Sequence, residues 1–274
     1  MTGATRWNDL APRLTSALVM LGVGGVALAL GGLWLRGLLA LVCGAMIWEV
    51  IGLFAPHEGR RALALAAATA VAFFVATWLP ISAAAIVMLL AIVLIYKCLP
   101  VKGGLLPAYG ALVSAGAMGV FGLYIQSGLS AVIWLISLVI ITDLAGYFAG
   151  RLLGGPKFWA AISPNKTWSG TVAGWLGAGC VGGVFVWQLE GVHWGIIPLS
   201  IVLSIVSQFG DIFESHLKRR AGVKDSSSLI PGHGGFLDRF DGMIAAAAVT
   251  FAVQIFLFPS IGFCSGIPFW VASA

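Results

Sequence analysis

Runs of about 20 apolar residues recur along this chain and restrict its fold more than any other feature. A helix of roughly that length crosses the hydrocarbon core of a bilayer. The pattern predicts an all-α fold, a polytopic integral membrane bundle of about nine transmembrane helices. The apolar runs lie at residues 14–35, 38–55, 62–79, 81–96, 104–125, 129–150, 170–188, 194–213 and 242–261.

The composition agrees with a membrane environment and excludes a soluble globule, a disordered tail and a disulfide scaffold. Hydrophobic residues make up 60% of the 274 residues and charged residues 9%, whereas about 25% of residues are charged in a typical soluble domain. Cys43, Cys98, Cys180 and Cys264 are far apart and form no C-x-x-C pair, which indicates small buried side chains. The run 14–35 is too long for the core of a signal peptide, so we interpret it as the first span.

The basic residues predict the orientation of the chain. With the N-terminus in the cytoplasm, nine spans put all of them except Arg36 on the cytoplasmic side, as the positive-inside rule requires. The net charge of +5 therefore needs no nucleic acid partner, and anionic membrane lipid would be attracted to the basic face. The basic residues on the predicted cytoplasmic side are Arg6, Arg13, Arg60, Arg61, Lys97, Lys102, Arg151, Lys157, Lys166, Lys218, Arg219, Arg220, Lys224 and Arg239.

Charged side chains are concentrated towards the C-terminus. Residues 211–241 hold 10 of the 25 charged residues, and a solvated loop between the last two spans would explain such a run without any chemistry. However, Asp211 and Glu214 share a helix face with Lys218 if the eighth run continues as a helix, and Asp238 and Asp241 are three residues apart before the ninth. Carboxylates near membrane depth need compensation, and oxygen ligands suit a hard ion such as Mg²⁺.

The loop Pro231-Gly232-His233-Gly234-Gly235 joins these two pairs of carboxylates. Its glycines permit φ > 0 and allow backbone N–H groups to approach an anion. Since basic side chains flank the loop, it is a candidate site for a metal-bound polyphosphate; the alternative is that His233 is an ordinary turn residue. The flanking basic residues are Lys218, Arg219, Lys224 and Arg239.

A second polar segment, residues 162–170, precedes the seventh apolar run. Ser163 and Asn165 are expected to cap the following helix, while Lys166 and Thr167 would offer donors to a phosphate at its positive end. A helix cap with a basic anchor explains the same residues without any ligand.

Two further carboxylates lie within apolar runs. Asp143 has Tyr147 one helical turn further on and Arg151 two turns further on. Pairing with Arg151 or with a lysine would be a structural explanation for Asp143, and lining a polar site would be a functional one. For Glu49, in the second run, we expect a structural role only.

These segments resemble the signature of the phosphatidate cytidylyltransferases, also called CDP-diacylglycerol synthases. The 27 residues 215–241, SHLKRRAGVKDSSSLIPGHGGFLDRFD, fill every position required by that signature, although Ser227 and Ser228 stand where glycine and histidine are more common. Residues 163–168 are similar to the family's S-P-x-K-T-W segment. Residues 143–151 are similar to its D-x-x-A-Y-x-x-G-R, with alanine and glycine in swapped order.

The resemblance implies that CTP and phosphatidic acid react to give CDP-diacylglycerol and pyrophosphate with Mg²⁺ and a second metal of unknown identity. It also implies an all-helical membrane protein that forms a homodimer, in the bacterial inner (plasma) membrane with its active site facing the cytoplasm. Asp211 and Asp238 would be the metal ligands, and Asp211, Asp238, Lys218 and Asp241 the catalytic residues. The substrate-binding residues would be Ser163, Asn165, Lys166, Thr167, Arg219, Lys224, Asp225, His233, Gly234, Gly235, Arg239 and Asp143.

Residues 1–130 would then form N-terminal membrane helices with the oligomer contacts. Residues 131–274 would form the catalytic region, with cytoplasmic loops at 151–169 and 214–241. Two other functions stay open. A CTP-dependent polyprenol kinase also combines CTP with a membrane-embedded substrate but releases CDP, and a transporter usually places its polar residues near the membrane midplane. A CDP-alcohol phosphotransferase is less favoured, because Asp241-Gly242 does not continue into its D-G-x-x-A-R signature.

Overall fold

The computed structural model describes residues 10–100, 103–159 and 162–257 of the chain. These residues form eight α-helices and one two-stranded antiparallel sheet. The helices are α1 (Leu10–Leu30), α2 (Gly32–Phe54), α3 (Gly59–Ala76), α4 (Ile81–Cys98), α5 (Leu105–Leu152), α6 (Trp168–Gln188), α7 (Ile196–Arg220) and α8 (Leu237–Leu257), and the strands are β1 (Lys157–Trp159) and β2 (Ser163–Thr167).

The helices follow the apolar runs. Helix α5 covers two of these runs, 104–125 and 129–150, and a break at Gly128 (φ 77°, ψ −172°) divides it between them. Helices α2 to α7 are each long and apolar enough to cross a membrane. The prediction of an all-α polytopic membrane protein is therefore confirmed, with the β1–β2 hairpin as the one sheet among the described residues. The number of crossings and the orientation of the chain remain predictions.

The predicted loop 214–241 is helical at both of its ends, since α7 continues to Arg220 and α8 begins at Leu237. One span boundary was also wrong. The run 14–35 was interpreted as a single span, but Gly31 (φ 60°, ψ −147°) ends α1 before α2 begins, in a conformation that favours glycine. Some parts of the sequence predictions lie outside the described residues, among them Arg6, Lys102, Cys264, positions 160–161 of the loop 151–169 and positions 258–261 of the ninth run.

The chain divides into two compact units, the first formed by residues up to 114 together with 217–240. In this unit α2 packs on α3, and α3 on α4. Its core contains the fully buried side chains of Cys43, Ile51, Phe73 and Tyr109. The expected burial of the cysteines is therefore correct for Cys43, but it is wrong for Cys98 and Cys180, which are exposed. Gly44 lies against Ala66 and Ala70 of α3, where an added Cβ would come within 2.8 Å of the Ala70 Cβ, so a small residue permits this close helix approach.

The second unit consists of residues 115–216 together with the chain from 241 onwards. Buried side-chain hydrogen bonds connect its helices. Trp134 Nε1 donates to Ser200 Oγ (2.9 Å), and Thr142 Oγ1 donates to Ser204 Oγ (2.8 Å). Since both partners of each pair are buried and bonded, these polar groups fix the packing of the helices without an unsatisfied atom at either contact.

The segment before α6 is a short hairpin, which corrects the expected helix cap. Ser163 and Asn165 belong to β2, and the residue that caps α6 is Thr167, whose hydroxyl accepts from the Gly170 N–H at 3.3 Å. All three residue types are able to cap a helix, and the strand pairing of Lys157 with Thr167 determines which of them reaches the helix start. The functional division of the chain at residue 130 remains a prediction.

Replacing Gly128 by alanine should destabilise the protein, because a side chain at this positive φ is strained. We expect Gly128→Ala to lower the free energy of unfolding by about 1–3 kcal/mol, seen as a lower thermal midpoint of the detergent-purified protein. Gly183→Ala is the matched control, since Gly183 lies within α6 with open space around it. Equal stability of the two variants would contradict this explanation of the break.

Candidate functional site

Three carboxylates converge in the second unit. Helix α7 continues to Arg220, so Asp211 and Glu214 lie on the same helix, which was the condition for the shared face considered from their spacing. Asp241 comes from the beginning of α8. Each of the three residues offers one oxygen atom, and these atoms lie within 4.8 Å of one another. We call Asp211, Glu214 and Asp241 the acidic cluster.

The acidic cluster offers carboxylate oxygens, which are the ligands that a hard cation prefers. Glu214 is fully buried and the other two carboxylates are partly buried, so water screens their mutual repulsion poorly. Asp143 adds a fourth negative charge within electrostatic range of Asp211 and Asp241. Hard oxygen ligands of this kind, converging at one point, are able to hold a divalent metal ion.

Lys166 is a cation beside the acidic cluster. Its Nζ lies 2.5 Å from Asp211 Oδ2, and it also donates to the Gln208 carbonyl at 3.4 Å. Ser215 Oγ donates to the other carboxylate oxygen of Asp211 at 3.4 Å. The β1–β2 hairpin thus brings Lys166, predicted to bind phosphate, into direct contact with a predicted metal ligand.

For Asp143 the sequence left two basic partners open, Arg151 or a lysine. Arg151 donates to the hydroxyl of Tyr147 at 2.8 Å. The basic group that acts electrostatically on Asp143 is Lys166, so the lysine alternative is the one that the structure supports.

Asp238 lies in the first unit and is surrounded by donors. Its Oδ1 accepts from Lys218 Nζ at 2.6 Å. Its Oδ2 accepts from the backbone N–H and the hydroxyl of Ser226, both at 2.9 Å, and from the Gly235 N–H at 2.8 Å. Because these four donors occupy the carboxylate, its role as a metal ligand stays a prediction.

The same contacts determine the protonation of Asp238, which precedes the apolar part of α8. Burial of the carboxyl opposes ionisation. The hydrogen bond from Lys218, the backbone donors of Gly235 and Ser226, and the lysine charge outweigh burial and lower the pKa of Asp238 below its ordinary value. Asp238 is therefore a stable anion at neutral pH.

The glycine loop has the conformation expected from its sequence. Gly232 (φ 73°) and Gly234 (φ 85°) both have positive φ, and the Ile230 N–H donates to the Gly234 carbonyl at 2.8 Å. Arg239 Nε and Nη2 donate to the His233 carbonyl at 2.8 and 2.5 Å. A Cβ on Gly234 would come within 2.8 Å of Asp238 Oδ2, so glycine is needed both for the turn and for space.

The other predicted substrate-binding residues are spread over both units. Arg219 is exposed in the last turn of α7, Lys224 and Asp225 are exposed on the segment after it, and Asn165 is exposed on β2. Ser163 is half-buried. Which of these side chains contact a substrate stays a prediction.

Two carboxylates that are absent from the predicted site residues, Glu214 and Glu49, lie in or beside the candidate sites. Glu214 was considered as an oxygen ligand but was not included among the predicted site residues, yet it is a member of the acidic cluster. Glu49 was assigned a structural role only, and it accepts hydrogen bonds from three groups beside the glycine loop, the Ser227 hydroxyl and the N–H groups of Phe236 and Leu237. The available signal was that an acidic residue in an apolar run requires compensation.

Comparison with known proteins gives a family match and several relatives. The model of the cytidylyltransferase family matches residues 11–257. A phosphatidate cytidylyltransferase of Brucella suis biovar 1 (strain 1330) is 50% identical over 126 residues, which cover 45% of this chain and 46% of that protein. One of Helicobacter pylori (strain ATCC 700392 / 26695) is 40% identical over 143 residues, covering 52% and 53%.

A third relative is more distant. A phosphatidate cytidylyltransferase of Staphylococcus haemolyticus (strain JCSC1435) is 38% identical over 139 residues, which cover 48% of this chain and 54% of that protein. The chain thus spans about half the length of the curated relatives it matches.

The acidic cluster should bind a divalent cation, with Glu214 as one of its ligands. We expect Glu214→Gln to weaken Mn²⁺ binding, followed by electron paramagnetic resonance of the free ion, by about ten-fold or more, since even loss of an outer-shell partner has an effect of that size. Glu190→Gln is the matched control, because Glu190 is exposed on the loop between α6 and α7. Identical Mn²⁺ affinity of the two variants would exclude Glu214 as a ligand.

Proposed function

Because this chain belongs to the cytidylyltransferase family, we propose that it transfers the cytidylyl group of CTP to phosphatidic acid, giving CDP-diacylglycerol and pyrophosphate. The observation that carries the proposal is the 27-residue signature at 215–241, together with relatives named phosphatidate cytidylyltransferase. The membrane helices suit a lipid substrate, because an enzyme embedded in the bilayer binds a lipid that is already in the membrane.

The reaction joins two anions and needs little proton chemistry. A phosphate oxygen of phosphatidic acid forms a bond to the α-phosphorus of CTP, the bond from that phosphorus to the bridging oxygen of the β-phosphate breaks, and pyrophosphate leaves. The lipid phosphate is already an anion at neutral pH, so no strong base is required. The protein must therefore position both substrates and compensate their negative charge.

The acidic cluster is the proposed holder of Mg²⁺. Asp211, Glu214 and Asp241 supply oxygen ligands, and the family resemblance adds Asp238. Magnesium bound to such carboxylates neutralises the repulsion between the nucleotide and the lipid phosphate. A second metal is proposed on the resemblance alone, without an identity.

Basic side chains would hold the remaining phosphate oxygens. Lys166 already forms an ion pair with Asp211, so its ammonium group is oriented beside the proposed metal ligands. Lys218 is oriented in the same way by Asp238. Arg219, Lys224 and Arg239 are exposed and would contact phosphate groups of CTP or of the lipid.

We also propose the cellular setting that the sequence predicts. The relatives are bacterial, and the bias of the basic residues favours a plasma membrane protein whose active site faces the cytoplasm. The homodimer implied by the family resemblance belongs to the same proposal and would use helices within residues 1–130.

The reaction is tested by incubating the detergent-purified protein with CTP, phosphatidic acid and Mg²⁺ and measuring pyrophosphate and CDP-diacylglycerol. We expect Asp211→Asn to lower kcat by about a hundred-fold, since it removes one charged ligand and leaves the side-chain shape unchanged. The dependence of the rate on Mg²⁺ should also shift to higher concentration.

Glu190→Gln is the matched control and should keep the rate of the natural protein. Unaltered turnover and Mg²⁺ dependence in Asp211→Asn would refute the metal role of Asp211. Absence of pyrophosphate with the unsubstituted protein, or release of CDP in its place, would refute the proposed reaction.

A further inference from the structure

Glu49 is a buried carboxylate that contacts a segment far away in the sequence. It lies near the end of α2 with 1% of its surface exposed. Its Oε1 accepts from the Ser227 hydroxyl at 2.6 Å and from the Phe236 N–H at 3.0 Å. Its Oε2 accepts from the Leu237 N–H at 2.7 Å. One side chain of α2 therefore binds both ends of the segment 227–237.

The hydrogen bonds from the N–H groups of Phe236 and Leu237 to Glu49 fix the start of α8. The first N–H groups of a helix have no partner within the helix, and a carboxylate is the acceptor that best satisfies them. Glu49 serves the N–H groups of Phe236 and Leu237, so it acts as a cap supplied by another helix. Removing it would leave these buried donors unpaired as well as lose the charge.

Asp238 binds the same segment from a neighbouring position. At the first end of the loop, Ser226 donates to Asp238 and Ser227 donates to Glu49. At the second end, Gly235 donates to Asp238 and Phe236 donates to Glu49. Adjacent residues at both ends of the loop thus bind two different carboxylates. The loop between them is fixed at its two ends.

Gly235 lies where these contacts meet. A Cβ added to it would overlap with both the Ser226 hydroxyl and Glu49 Oε1. The backbone therefore passes between the two sets of contacts with no space for a side chain. A shift of Glu49 would be transmitted directly to Gly235 and Asp238.

Ser227 is one of the two positions at which this chain departs from the common signature. Its hydroxyl supplies the shortest of the three hydrogen bonds to Glu49 and also accepts from the Leu229 N–H at 3.2 Å. Glycine at this position would have no side chain to bind Glu49. The contact is thus a property of this sequence.

We propose that Glu49 is a positioning residue for the nucleotide, which acts through Ser227 and the start of α8 to hold the glycine loop in its binding conformation. This inference rests on the proposed function, in which His233, Gly234 and Gly235 shape the nucleotide site. Glu49 itself touches no substrate. Its loss should weaken CTP binding in particular, because the groups that it binds, on Ser227, Phe236 and Leu237, flank the glycine loop proposed for the nucleotide.

Three substitutions test the inference. Glu49→Gln keeps the shape and one acceptor oxygen, but its amide group would face the Leu237 N–H, donor against donor. We expect it to raise the KM for CTP by about ten-fold, the equivalent of one charge-assisted hydrogen bond, with a change of less than about two-fold in the KM for phosphatidic acid. Glu49→Asp should restore part of the affinity for CTP because it keeps the charge.

Ser227→Ala provides a second, milder measurement. Alone it should raise the KM for CTP by a few-fold, and in the Glu49→Gln background it should add less than it does alone, because its partner is already altered. Glu58→Gln is the matched control, since Glu58 is paired with Arg61 at the surface after α2. It should leave both KM values unchanged.

Hydrogen exchange separates this inference from the proposed function. The Phe236 and Leu237 amides should exchange faster in Glu49→Gln while the α3 and α4 amides keep their rates, whatever reaction the protein catalyses. Faster exchange throughout the first unit, equal rises in both KM values, or slow exchange retained at 236 and 237 would overturn the positioning role. Failure of the unsubstituted protein to release pyrophosphate would refute the reaction, and the nucleotide role with it, but not the Glu49 contacts.

Discussion

Compensation of carboxylate charge in an apolar helical protein is the constraint on which the functional parts of this structure depend. Glu49, Asp143, Asp211, Glu214 and Asp241 all lie on helices of low polarity, where an isolated charge is strongly disfavoured. Hydrogen-bond donors compensate Glu49, and Lys166 compensates Asp211. At the acidic cluster three carboxylates lie close together, and their oxygen atoms fit the geometry of a bound cation.

Each unit has its own arrangement of charge, and the two arrangements differ in kind. In the first unit, Glu49 and Asp238 accept hydrogen bonds that fix a glycine loop, so their charge serves to order the backbone. In the second unit, the acidic cluster brings three carboxylates together beside Lys166, in an arrangement that could hold a metal ion. One arrangement orders the backbone of the proposed nucleotide loop, and the other brings together the ligands of the proposed metal site.

The sequence predicted the local features well. Apolar runs predicted the helices, and the glycines predicted the positive φ angles of the loop. The charge spacing put Asp211, Glu214 and Lys218 on one face on the condition that the helix continues, and α7 meets that condition. These features depend on neighbouring residues, so they are visible in a linear pattern. The break at Gly31 was missed because glycine is frequent in membrane helices and does not by itself mark an end.

The contacts between distant residues were not predictable in the same way. Glu49 binds partners more than 170 positions away, and two of them are backbone N–H groups, which every residue except proline carries. The capping of α6 by Thr167 depends on strand pairing, which spacing does not reveal. Such contacts arise from tertiary packing, so a sequence indicates that a partner is needed without indicating which one.

The central claim, that the acidic cluster is a metal site, is tested most directly by anomalous X-ray diffraction from crystals of the protein soaked in Mn²⁺. The account predicts an anomalous peak bound by carboxylate oxygens of Asp211, Glu214 and Asp241. A map with no peak at these oxygens, in crystals that hold Mn²⁺ elsewhere, would contradict it.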